Sequence, residues 1–206
     1  MGQICDPHGM FPPVKRPPSV LLLAALLLAC NKAPSEPEPS AAASAAPALA
    51  PLVWDAPGTW TTLTVPRNIP KKATYQIEKA GNDKEGAEVN VFFLGTGDKG
   101  DVTKGFKEWF DQFDGDAAST AKRESFESHG MKIETVEVAG TYKVPLSPPV
   151  GPQKKAAMQM VKNGWRLYGA VVKSPDRGNW FFKLTGPDET VQSAKSAFRG
   201  MLESAR

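Results

Sequence analysis

Histidine is the side chain best suited to move protons near neutral pH, and the chain beyond residue 52 holds one, His129, beside Gly130. The pair reads as a hairpin turn. A Ser–His–acid relay also needs a nucleophile held against the ring, and no G-x-S-x-G turn accompanies it. Carboxylates fare no better as paired acids and bases. Glu134 and Glu137 lie an odd number of residues apart in a strand-like stretch, so they face opposite sides. Asp111, Asp114 and Asp116 suggest calcium, but the loop counted from Asp114 has Ser119 at its sixth place and Ser125 at its twelfth. A calcium loop needs Gly at the first of these and a bidentate Glu at the second. The three acids are expected to form a solvated helix end and turn.

Gly95-Thr-Gly97-Asp-Lys-Gly100 spells G-x-G-x-x-G between a strand-like and a helix-like segment. In dinucleotide sites such glycines let a pyrophosphate approach a helix N-terminus. Here no βαβ crossover ends in a ribose-binding acid, so a plain turn is expected. A Cys/His metal centre cannot be built from one His and no cysteine in this region. No catalytic, cofactor-binding or metal-ligating residue is assigned, and no cofactor is expected.

The residue whose context does point to chemistry is Cys30. Val20–Ala29 is an apolar run behind Lys15-Arg16. It is too short to cross a bilayer, which takes about 20 residues, and suits the core of a signal peptide. Leu27-Leu28-Ala29-Cys30 resembles the lipobox of bacterial lipoproteins. That resemblance implies acylation of the Cys30 thiol, cleavage before it and a lipid anchor; more than one acyl chain is needed for stable anchoring. Leu28 stands where the pattern more often has a small or β-branched residue. The long segment before the apolar run leaves Met10 as a candidate start. Asn31 follows the cysteine where an Asp often retains such proteins at the inner membrane. The outer membrane, facing the periplasm, is therefore favoured if the cell is Gram-negative.

Three regions follow: a signal peptide over 1–29, a Pro/Ala-rich disordered tether over 30–52, and a single domain over 53–206. Repeated proline in the tether blocks helix and favours extended geometry. A formal net charge of +3 gives no basic field to attract nucleic acid, so none is expected as a partner. The two cysteines, Cys5 and Cys30, precede the domain, which must rely on an apolar core.

The domain pattern predicts strands over 60–65, 73–77, 88–94, 131–138 running on into 141–144, 165–172 and 179–184. Val102, Phe106, Trp109, Phe110 and Phe113 fall on one stripe of a helix, with Asp101 in its first turn. A last helix opens with Pro187 at its first position and buries Val191, Ala194, Phe198, Met201 and Leu202. Short links predict an α+β fold, a mainly antiparallel sheet with two packed helices. Lys154, Lys155, Lys162, Arg166 and Lys173, with Met158 and Met160, surround a Pro-rich loop over 145–152. They read as a solvated loop before a flexible partner surface.

Gly140-Thr-Tyr142, Gly169-Ala-Val-Val172, the Phe181–Pro187 stretch and Trp109 resemble a group of uncharacterised bacterial secreted proteins and lipoproteins. The resemblance spans most of Trp60–Arg206 and implies a PsbP-like α/β/α sandwich, a fold used mostly for binding or assembly. Fold analogy does not assign function. The first expectation is a non-enzymatic, membrane-anchored envelope lipoprotein that binds another envelope protein or supports an assembly. A small-ligand binder using a pocket between sheet and helix is the alternative. A hydrolase using His129 comes third.

Overall fold

Alternating apolar residues between Thr61 and Pro187 pair into one antiparallel sheet. The computed structural model describes residues 51–67, 69–95, 100–145 and 159–206. Its strands are β1 (Thr61–Leu63), β2 (Lys71–Ile77), β3 (Ala87–Phe93), β4 (Lys122–Ser128), β5 (Met131–Pro145), β6 (Gln159–Ser174) and β7 (Gly178–Pro187). The order across the sheet is β1-β2-β3-β7-β6-β5-β4, and every neighbouring pair is antiparallel. The helices are α1 (Val102–Phe110), the single turn α2 (Ala117–Thr120) and α3 (Asp188–Glu203). The expected α+β architecture is the one found.

Because strand side chains alternate, each central strand feeds two cores. On one face Ile133, Ala170, Phe182 and Leu184 pack with the α3 stripe of Val191, Phe198 and Leu202. On the other, Val136, Leu167, Val171 and Phe181 pack with Phe106, Trp109 and Phe110 of α1. The α3 stripe is the predicted one, and all five of its residues are buried. Leu52 is also buried in the α3-side core, and Val53 and Arg206 exchange backbone hydrogen bonds of 3.0 and 2.9 Å.

Two glycines set how closely α1 approaches the sheet. A Cβ on Gly105 would lie 2.5 Å from the Phe181 ring, and one on Gly169 would lie 2.2 Å from the Trp109 ring. Glycine at both positions lets the helix seat Trp109 directly on β6.

Several boundaries differ from expectation. The helix α1 ends at Phe110, so Phe113 lies beyond it and bridges to Tyr142 instead. Asp101 is the N-cap of α1, its carboxylate accepting from Lys104 N–H at 2.7 Å. Pro187 is likewise the N-cap position of α3 and offers no side-chain cap. The cap comes from the β2–β3 turn: Asp83 accepts from both Thr190 N–H and Thr190 Oγ1–H at 2.7 Å. Strand β4 and the turn α2 were not predicted. β4 is a charged edge strand with one neighbour, so it lacks the apolar alternation that reveals strands.

Candidate ligand-binding groove

Helix α1 and the β2–β3–β7 part of its sheet face enclose a cavity of about 380 Å³. Its walls are mainly apolar, with Phe92 from β3, Phe181 from β7 and Trp109 from α1. Lys71, Glu108, Gln112 and Lys183 supply its polar groups. A second cavity of about 380 Å³ adjoins it and also touches Lys183, together with Glu85, Glu88, Tyr142 and Trp165. Lys183 therefore stands where an apolar groove meets a polar one.

The fold places this lysine in three steps. On β7, Phe181, Lys183 and Thr185 point to the α1 side, while Phe182 and Leu184 fill the opposite core. Lys183 pairs in register with Asn90 of β3 and Gly169 of β6. The chain leaving α1 then pairs with β5 just after its register shift at Gly140/Tyr142, with Lys143 N–H donating to Gln112 O at 2.7 Å and Asp114 N–H to Thr141 O at 3.0 Å. That pairing brings Gln112 and Tyr142 together above β7.

The Lys183 ammonium donates to Gln112 Oε1 and to Tyr142 Oη, the latter at 3.1 Å. Tyr142 donates onward to Gln112 Oε1 at 3.1 Å. Both acceptors are neutral. Among the described residues, no carboxylate lies within ion-pair distance of Lys183, and its third N–H has no acceptor. Lys183 is half-buried, and packed atoms crowd its ammonium. Burial, helped by Lys71 and opposed by Glu88, pulls the lysine down to about 8. Burial and Glu88 together push the Tyr142 phenol up to about 12. Nearby, Thr74 Oγ1–H donates to Asn90 Oδ1 at 2.9 Å, and Asn90 Nδ2–H donates to Glu88 Oε1.

The residues singled out in the sequence are dispersed by comparison. His129 is exposed in the β4–β5 turn at φ +48°, with Gly130 at φ +72°. Its Nδ1 lies 3.2 Å from Ser128 Oγ, but the Ser128 hydroxyl donates to the Glu203 carbonyl at 2.7 Å. The three aspartates have separate duties. Asp111 pairs with Lys107 at 2.6 Å, Asp114 pairs with Lys143, and Asp116 caps α2 through Ser119 N–H at 3.2 Å. Among the described residues, no group of three or more His, Cys, Asp or Glu could hold a metal ion. Gly95 and Gly100 flank residues 96–99, which lie outside those described.

Glu134 and Glu137 do face opposite sides. Glu134 meets Lys173 at 2.7 Å and Lys132 at 3.1 Å. Glu137 pairs with Arg166 and, across to α3, with Lys195 at 2.6 Å. Burial alone would raise Glu137, but Lys195 and Arg166 outweigh it and hold the carboxyl below its usual range. Arg166 also reaches Asp188 at 2.6 Å, and Lys162 pairs with Glu85. Three members of the expected basic surface are thus neutralised by partners. Lys154, Lys155, Met158 and the Pro-rich loop from residue 146 onward lie outside the described residues, as does Cys30.

Sequence reasoning missed Lys183, although a signal was present. Trp180-Phe-Phe-Lys-Leu184 places one cation inside a run otherwise apolar on both faces, as a central strand is. Nothing local could have disclosed Gln112, whose position depends on a pairing with a distant strand.

No helix among the described residues is long and apolar enough to cross a membrane. No protein-family model matches the chain, and no curated protein matches its sequence. Among solved structures, it is similar to a Pseudomonas aeruginosa protein of unknown function described as a putative regulator, at 10% identity and a TM-score of 0.39 over 71% of this chain and 96% of that one. It is also similar to the cyanobacterial PsbP protein CyanoP of Synechocystis, at 13% identity and a TM-score of 0.40 over 75% of this chain and 91% of that one.

Proposed function

We propose that this chain is a non-enzymatic binding protein of the cell envelope that takes a small apolar ligand in the groove between α1 and the sheet. A lipid on Cys30 anchors it, and the residues between Cys30 and the buried Leu52 act as the spacer. Outer-membrane attachment facing the periplasm follows from Asn31 if the cell is Gram-negative. The observation that carries the ligand reading is the preformed, mainly apolar cavity of about 380 Å³, a volume within the usual range for small-molecule sites. The cavity supports small-ligand binding as the first reading, and partner assembly through the basic surface has less support because Lys162, Arg166 and Lys173 already have intramolecular partners. The His129 reading has the least support, since the Ser128 proton is engaged by a backbone carbonyl.

The test is a residue-resolved NMR titration of the full chain with 2-naphthoate and with its uncharged analogue 2-naphthamide. Amide shifts centred on Phe92, Gly105, Trp109 and Phe181 are expected with at least one probe. If neither probe moves these resonances, the groove is not a ligand site and the proposal fails.

A further inference from the structure

We infer that the ligand of this groove is an apolar monocarboxylate, and that Lys183 is its counter-ion. The inference rests on the groove being a ligand site and adds the chemistry of the occupant. A buried charge is costly unless paired, yet Lys183 is held by two neutral oxygens and keeps one N–H without an acceptor among the described residues. The nearby acids are engaged elsewhere or stand at the surface. Glu85 pairs with Lys162, Glu88 accepts from Asn90, and Glu108 stands at the exposed rim of the groove and, among the described residues, makes no ion pair with Lys183. Lys71 adds a second positive charge on the β2 side. A carboxylate placed against Lys183 would supply the missing charge, while its apolar body lies against Phe92, Trp109 and Phe181. A neutral ligand of the same shape would leave the ammonium as it is.

Binding should also depend on pH with a definite sign. The free ammonium loses its proton near pH 8, and a carboxylate binds the protonated form more tightly. Affinity for the anion is therefore constant below that pH and declines above it. The charged groups facing Lys183 are Lys71 on β2, Glu88 on β3, Glu85 before β3, Glu108 on α1 and Tyr142 on β5. Of these, Tyr142 titrates near pH 12, well above the window.

The experiment compares dissociation constants of 2-naphthoate and 2-naphthamide on the full chain by calorimetry at pH 7 and pH 9.5. The carboxylate should bind roughly tenfold more tightly at pH 7, as a desolvated charge-assisted contact implies, and that advantage should shrink at pH 9.5. In Lys183→Met the ratio of the two affinities should fall toward one, and a ratio that stays near tenfold in a folded variant would overturn the inference. Equal affinities of the two probes for the unmodified chain would overturn the inference and leave the groove reading intact. Failure of both probes to bind would overturn both. Should Lys183→Met not fold, the pH comparison on the unmodified chain decides alone: a carboxylate advantage that persists unchanged at pH 9.5 excludes Lys183 as counter-ion.

Discussion

Lys183 Nζ and Tyr142 Oη lie 3.1 Å apart although β6 runs between their strands. Two features of β6 permit the contact. Gly169, opposite Lys183, has no side chain, and Trp165 stacks flat on Tyr142 with ring centroids 5.2 Å apart and planes at 10°. The lysine is thereby ordered over the sheet, which costs side-chain entropy, and it meets only neutral acceptors in return. An arrangement of this kind lowers stability in the empty protein and suits a group kept for binding.

That cost can be measured. With its folded-state value near 8, below the ordinary 10.5, Lys183 holds its proton less tightly folded than unfolded. The penalty is complete below pH 8 and fades as pH rises toward 10.5, so stability increases with pH across that window. At about 1.4 kcal/mol per pK unit the shift corresponds to about 3.5 kcal/mol, which partial exposure of the side chain reduces to about 3 kcal/mol. Each lost hydrogen bond returns about 1 kcal/mol. Lys183→Met should therefore stabilise the chain by about 1 kcal/mol at pH 7, with the effect reversing sign by about pH 10. Urea denaturation at both pH values gives the answer, and a variant less stable at pH 7 would show that the buried ammonium carries no such penalty.

A second stability prediction concerns the helix cap supplied from afar. Asp83 accepts from the Thr190 backbone and hydroxyl while Pro187, at the N-cap, offers nothing. Asp83→Ala should cost about 1–2 kcal/mol, the range for losing an N-cap. Asp83→Asn, which can still accept, should recover most of it. Thermal melts of the two variants side by side provide the check; equal losses would mean that charge at the dipole, rather than the hydrogen bonds, supplies the stabilisation.

These two sites show what the sequence could and could not disclose. The strands at 73–77 and 165–172 and the α3 stripe were legible because one buried face imposes a period of 2 or 3.6 on apolar residues. Strand β4 was hidden because an edge strand paired with β5 alone need bury little. The role of Asp83 was equally hidden: it looks like a turn residue, and its partner lies 107 positions away. The groove followed the same logic. Its apolar walls were readable as core, but the union of Gln112, Tyr142 and Lys183 exists only once β5 shifts register and the chain after α1 pairs with it.

Two helical glycines should respond oppositely to alanine. A Cβ on Gly200 of α3 meets nothing within 4 Å, so Gly200→Ala should stabilise by up to about 1 kcal/mol through helix propensity. At Gly105 the same propensity is opposed by a 2.5 Å approach to Phe181, a ring only 2% exposed that has nowhere to turn. Gly105→Ala should destabilise by about 1–3 kcal/mol, as overpacked cores do, and should also displace α1 from the groove wall. Denaturation midpoints test the signs. A stabilised Gly105→Ala variant would mean that α1 can move off the sheet without loss.

The tether makes the final prediction. If Cys30 carries the lipid, Cys30→Ser removes every acyl chain at once, and each buried CH₂ had contributed about 0.8 kcal/mol of membrane affinity. The change lies ahead of the sheet and both cores, so the groove should bind its probe with unchanged affinity. Fractionation of cells expressing each form, with metabolic labelling by a radioactive fatty acid, separates the possibilities. Label and membrane association should disappear together in Cys30→Ser. Label that persists would place the lipid elsewhere, and membrane association that persists without label would show that the apolar run Val20–Ala29 is retained as the anchor.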